Sequence, residues 1–146
     1  VQILHAYGHK NADQVASVAD ASGYFAVDYI DGMDEAYAAA DVAACRAGAL
    51  TCAELAAVGL PAVYVPLPIG NGEQRLNALP VVEADGGVLI EDAALTPTAL
   101  AEAVLSIVSP PGRLEAMAAN AAAHGVRDAG ARLADMVFTA AGRGVQ

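Results

Sequence analysis

The chain has 146 residues, a formal net charge of −10, 56% hydrophobic residues and 16% charged ones. So apolar a composition excludes a disordered segment. So acidic a body disfavours DNA or RNA as a partner, and with no tryptophan and only two phenylalanines there is little to stack single-stranded bases on.

In chain order, residues 1–6 read as a strand and 7–11 as a loop. Residues 12–21 read as a helix stopped by Gly23, and 24–30, rich in aromatic and β-branched residues, as a second strand. Residues 33–40 form a short helix and 41–45 a short buried strand. The next helix, 49–58, is closed by Gly59 with Pro61 beyond it. A strand over 61–65, a helix over 72–84 and a strand over 87–90 follow. Thr96-Pro97 is a strong helix start, an N-cap followed by proline at the first helical position. That helix runs to 108, another starts at Pro110-Pro111 and runs to 124, and the last spans 129–141.

Five strands, each followed by a helix, imply an α/β fold: one Rossmann-like, three-layer domain with a parallel sheet covered on both faces. Residues 1–109 carry the βα repeats and a charge of −11, and 110–146 the terminal helices and a charge of +1. Doubly wound sheets bind ligands beyond the carboxyl ends of their strands. The loops at 7–11, 30–33, 46–50, 66–72 and 91–96 are therefore the candidates.

Two cysteines, Cys45 and Cys52, make neither a disulfide framework nor a zinc site, and fit a reduced, cytosolic setting as small buried hydrophobes. Residues 55–72 are uncharged, but Pro61, Pro66, Pro68 and three glycines argue against a transmembrane segment. No leader-like start is present. Val1 falls inside a strand-like run, which suggests a fragment.

Three segments carry candidate chemistry. In the first, Arg46-Ala47-Gly48-Ala49-Leu50 joins a strand to a helix. Small residues admit a ligand close to the backbone, and the helix N-terminus offers free N–H groups with a partial positive charge. Arg46 adds a full charge, so the segment reads as a diphosphate cradle. An equal alternative has Gly48 making only the turn and Arg46 pairing with Asp31, Asp34 or Asp41.

In the second, Thr51 and Glu54 match the Thr-x-x-Glu capping box, the stronger reading on local physics. In the other reading Glu54 shares a helix face with Thr51 and takes the two hydroxyls of a ribose. In the third, prolines and glycines at 66–72 lead into a helix opened by Glu73, Gln74 and Asn77. Gln74 and Asn77 share a face, and fixed amides with a carboxylate suit sugar hydroxyls. A solvated first helical turn is the plain alternative.

Ile30 and Met33, beside a strand end, either flank a flat base or belong to the core. His5 and His9 lack a third ligand and His124 reads as a surface residue, so no metal site is expected. There is no Ser-His-Asp order, nucleophile elbow or Walker loop.

Taken together, Cys45–Glu54, Ala57–Pro66 and Glu73–Ala78 resemble the carboxyl-terminal, donor-binding domain of the MurG family of peptidoglycan N-acetylglucosaminyltransferases, in its actinobacterial form. The resemblance covers essentially the whole chain. It implies the donor half of a GT-B fold, lacking its first strand and helix, that binds UDP-N-acetylglucosamine and uses no cofactor. It further implies inverting transfer to lipid I, giving lipid II, on the cytoplasmic face of the membrane as a peripheral protein. Lipid I is expected to reach the enzyme through an amino-terminal domain absent from this chain, which leaves no catalytic residue here and a fragment inactive alone.

The resemblance implies Ile30 by the uracil and Ala49, Leu50 and Thr51 at the phosphates and nearby ribose, with Arg46 supporting that loop and Met33, Ala47, Gly48, Cys52 and Ala53 among the donor-binding residues. Glu54 would take the ribose, and Glu73, Gln74 and Asn77 the sugar. Ala47 stands where the family commonly has serine, and Glu73 where a second glutamine is frequent. Self-association through surface left uncovered is a further expectation. The residues themselves leave open a non-catalytic nucleotide-sugar module, or the donor domain of another GT-B transferase.

Overall fold

The computed structural model describes residues 1–16 and 21–142. The chain divides into two compact units, residues 1–39 and 40–146.

In the first unit, β1 (Ile3–Ala6) pairs in parallel with β2 (Tyr24–Val27), Ile3 opposite Tyr24 and Ala6 opposite Val27. A short helix, α1 (Ala12–Val15), follows a 3₁₀ turn at His9–Asn11. The rest of the helix expected over 12–21 falls largely on 17–20, outside the described residues. Helix α2 spans Met33–Ala39.

In the second unit, β3 (Ala43–Cys45), β4 (Ala62–Tyr64) and β5 (Gly87–Leu89) form a parallel sheet in that order. The five expected strands are present and every pairing within each unit is parallel, as the sequence implied.

Helices α3 (Ala49–Val58), α4 (Glu73–Glu83), α5 (Pro97–Val108), α6 (Arg113–His124) and α7 (Ala129–Ala140) complete the second unit. The caps explain several boundaries. Gly59 is left-handed at φ 73° and closes α3, with its N–H on Ala56 O and that of Leu60 on Leu55 O. Thr96 caps α5, its Oγ1 accepting from Ala99 N at 3.0 Å. Helix α6 starts at Arg113 and not at Pro110. Pro110 O accepts from Arg113 N in a turn, and left-handed Gly112 (φ 73°) resets the chain before the helix begins.

Strand β4 is fully buried, as expected for a strand covered on both faces. Val63 packs with Ile107 of α5 and Met117 of α6, joined by Val42, Val88, Leu100 and Leu114. The alanine-rich sequence shows its purpose where α3 meets the end of α6. A methyl group on Gly125 would lie 2.4 Å from Ala56 O, so only glycine allows the backbones to approach this closely. Helix α7 differs: Leu133, Met136, Val137 and Phe138 are all exposed. No helix among the described residues is long and apolar enough to cross a membrane.

Candidate functional site

The carboxyl ends of β3, β4 and β5 open on one edge of their sheet, and the polar groups singled out in the second unit gather there. The loop after β3 leads into α3 with Gly48 as N-cap, in extended conformation and with no capping side chain. The first amide to donate within the helix is Cys52 N, to Gly48 O at 2.9 Å. The amides of Ala49, Leu50 and Thr51 therefore lie outside the helical ladder at the positive end of the helix dipole.

This start disposes of the capping box. Thr51 is the third residue inside α3 and not its cap, so Thr51 and Glu54 do not reciprocate around the first turn. The two still lie three apart on one helical face, as the ribose reading requires. Leu50 is 72% exposed at the helix head, and Ala53 is exposed.

Within its own unit Arg46 does not pair with Asp41. Its Nη1 donates to Asp92 Oδ1 and, at 3.3 Å, to Val65 O. One guanidinium thus ties the exit of β3 to those of β4 and β5. Asp92 offsets part of its charge, so the uncancelled positive potential of the loop rests largely on the α3 amides. Ala47 is completely buried and presents only its backbone to the edge.

Cys52 is buried too, so its side chain belongs to the core. Burial raises its thiol pKa and pushes that of half-buried Cys45 to about 12, the neighbouring Cys52 adding a smaller push. Neither sulfur is a thiolate at neutral pH.

The third segment closes on the first. Asn77 Nδ2 donates to Ala47 O at 3.1 Å, joining the head of α4 to the loop before α3. Gln74 Oε1 accepts from Leu67 N at 3.0 Å, fixing the proline-framed loop after β4. Each partner settles the amide's orientation, because a carbonyl needs a donor and an N–H an acceptor. Asn77 therefore turns its oxygen, and Gln74 its NH₂, away from these bonds. Glu73 folds back, its Oε2 accepting from Asn71 N at 3.1 Å, across a turn in which Gly70 and Gly72 are both left-handed. Its carboxylate is engaged with its own loop.

Ile30, half-buried after β2, and Met33, 41% exposed as the first residue of α2, belong to the first unit. Other expectations resolve locally. His9 pairs with Asp28 at 2.9 Å and His5 with the Tyr24 hydroxyl. His124 is exposed, with Nδ1 3.3 Å from Asn120 O.

Sequence reasoning passed over Glu91 and Asp92. Arg75 Nε donates to Glu91 Oε1 at 2.8 Å, so two adjacent carboxylates hold two arginines from different elements. The available signal was their place: an acidic pair directly after a strand, at the same sheet edge as Arg46.

Residues 1–133 match the family model "Glycosyltransferase family 28 C-terminal domain". Two curated relatives bear the name UDP-N-acetylglucosamine--N-acetylmuramyl-(pentapeptide) pyrophosphoryl-undecaprenol N-acetylglucosamine transferase. The one from Acidothermus cellulolyticus is 58% identical over 146 residues, covering 97% of this chain and 40% of the relative. The one from Streptomyces coelicolor is 57% identical over 141 residues, covering 96% of this chain and 39% of the relative. The chain thus spans about two fifths of the length of these relatives. A crystal structure of MurG from Acinetobacter baumannii superposes with a TM-score of 0.84 at 27% identity, over 95% of this chain and 41% of that one.

Proposed function

We propose that this chain, which belongs to the glycosyltransferase family 28 C-terminal domain family, binds the nucleotide-sugar donor of an N-acetylglucosaminyltransferase, UDP-N-acetylglucosamine. The observation that carries this reading is the head of α3. Three backbone amides without helical acceptors follow a glycine cap, beside the only arginine of the β3 exit. A diphosphate is the ligand such a group fits best. Glu54, on the same face as Thr51, takes the ribose hydroxyls. The NH₂ of Gln74 and the oxygen of Asn77 face the sugar.

In the full-length protein the reaction is an inverting transfer to lipid I, giving lipid II. The acceptor hydroxyl attacks the anomeric carbon and gives its proton to a base outside this domain. The bond from that carbon to the diphosphate oxygen breaks with its electron pair, and UDP leaves. This domain's share is electrostatic: the α3 amides and Arg46 offset the negative charge that grows on the leaving diphosphate. Lipid I binding is assigned to residues outside this domain, at the inner face of the cell membrane. The exposed apolar stripe of α7 supports contact with a further protein surface, which for this chain alone is a second copy.

Calorimetry with UDP-N-acetylglucosamine, UDP-glucose and UDP tests the reading. Binding of UDP-N-acetylglucosamine ahead of UDP-glucose is the expected result. Equal binding of all three points to a generic nucleotide module, and no binding of any rejects a nucleotide site.

A further inference from the structure

We propose that Glu91 and Asp92, in the turn after β5, form a positioning clasp for the diphosphate end of this site. The inference rests on the nucleotide-sugar reading above. Glu91 is in extended conformation at φ −63° and ψ 142°. Asp92 opens the 3₁₀ turn Asp92–Ala94 directly after it, and from this one short turn the two side chains reach two elements. Asp92 takes Arg46 from the loop before α3, and Glu91 takes Arg75 from the first turn of α4. These are the two elements that present the candidate donor contacts, and Asn77 already links them through Ala47 O.

The geometry at Arg46 gives the clasp its effect. A guanidinium is a rigid plane with five N–H groups. Its Nη1 is held between Asp92 Oδ1 and Val65 O. Among the described residues, no acceptor takes Nη2 or Nε. Fixing one corner of the plane fixes the direction of the rest, so Asp92 decides where the remaining N–H groups of Arg46 point. Without Asp92, a side chain 47% exposed swings into solvent. Glu91 acts likewise on Arg75 and steadies the start of α4. Both carboxylates are positioning residues and touch no substrate.

The test is UDP affinity by calorimetry, with a thermal melt of each variant. Asp92→Ala is expected to weaken UDP binding about three- to tenfold. Its melting temperature should stay within about 2 °C of the parent, because exposed ion pairs contribute little to stability. Asp92→Asn keeps an oxygen for Nη1 and should hold UDP within about twofold of the parent, since orientation and not charge is what Asp92 supplies. Glu91→Ala should give a smaller loss than Asp92→Ala. Unchanged UDP affinity in Asp92→Ala overturns the clasp while leaving the nucleotide reading intact. A lowered melting temperature with unchanged affinity assigns Asp92 a structural role only and also overturns it. Failure of the parent chain to bind UDP removes the reading and the clasp together.

Discussion

Asn77 donates its side-chain N–H to the carbonyl of Ala47, thirty residues earlier, at 3.1 Å. This bond spans the head of α4 and the loop that leads into α3. It is part-buried, and Ala47 itself has no exposed surface. Asn77→Ala leaves that carbonyl unpaired and should cost about 1 kcal/mol of stability, with a larger cost for Asn77→Asp, which sets a carboxylate oxygen against the carbonyl. Urea denaturation of the variants measures both. Equal stability of all three proteins would show that the bond contributes nothing.

Two threonines near helix starts should respond differently to the same change. Thr96 Oγ1 accepts from Ala99 N at 3.0 Å and caps α5. Thr51 sits inside α3 behind a glycine cap. Thr96→Ala should cost about 1 kcal/mol, the usual loss for a removed N-cap, and Thr51→Ala less than about half of that. The order of the two melting temperatures decides the matter. A Thr51→Ala loss as large as that of Thr96→Ala would restore a capping role to Thr51.

Gly125 marks the tightest approach of backbones. An added methyl would meet Ala56 O at 2.4 Å and Ala57 Cα at 2.6 Å, both backbone atoms that cannot swing aside. Gly125→Ala should destabilise by about 1–3 kcal/mol, the range for overpacking. Gly130→Ala, where nothing lies within 4 Å, should leave stability unchanged or raise it. Chemical denaturation of the pair provides the contrast.

Acid sensitivity should be traceable to Asp85. Its backbone is left-handed at φ 61°, which Asp and Asn tolerate better than most residues, and Arg113 grips both carboxylate oxygens. The hydrogen bond from Arg113 holds the Asp85 carboxyl below its ordinary range, with a smaller contribution from the charge itself. A carboxyl that is more acidic folded than unfolded stabilises the fold above its unfolded pKa, near 4, and loses that contribution as pH falls through the lower folded value. The parent's stability advantage over Asp85→Asn should therefore be full at pH 6 and shrink below about pH 4. Melting temperatures of the two proteins across that range test it. A gap that stays constant into acid would deny the ion pair any linkage.

Much of this was legible locally. Gly59 with Pro61, and Thr96 with Pro97, punctuate helices through backbone chemistry confined to a few residues, and both boundaries stand in the structure. The bounds of α3 were also read correctly, and only the capping-box reading of Thr51 and Glu54 fails, because a glycine cap carries no side chain to announce itself while those two residues imitate one. The start of α6 was misplaced for a related reason: Pro110 and Pro111 both suit a helix start, and the left-handed turn at Gly112 overrides them. The Arg46–Asp92 pair joins residues 46 positions apart and leaves no periodic trace. Only a sheet register that brings the ends of β3 and β5 to one edge makes it visible.

The central claim is that the free amides at the head of α3 grip a diphosphate. Titration of UDP into ¹⁵N-labelled protein, read by amide chemical shifts, tests it most directly. The Ala49, Leu50 and Thr51 amides should move furthest and saturate together, with Arg46→Ala raising the concentration required. If those three stay still while UDP shifts resonances elsewhere, the diphosphate lies at another site and the account is wrong.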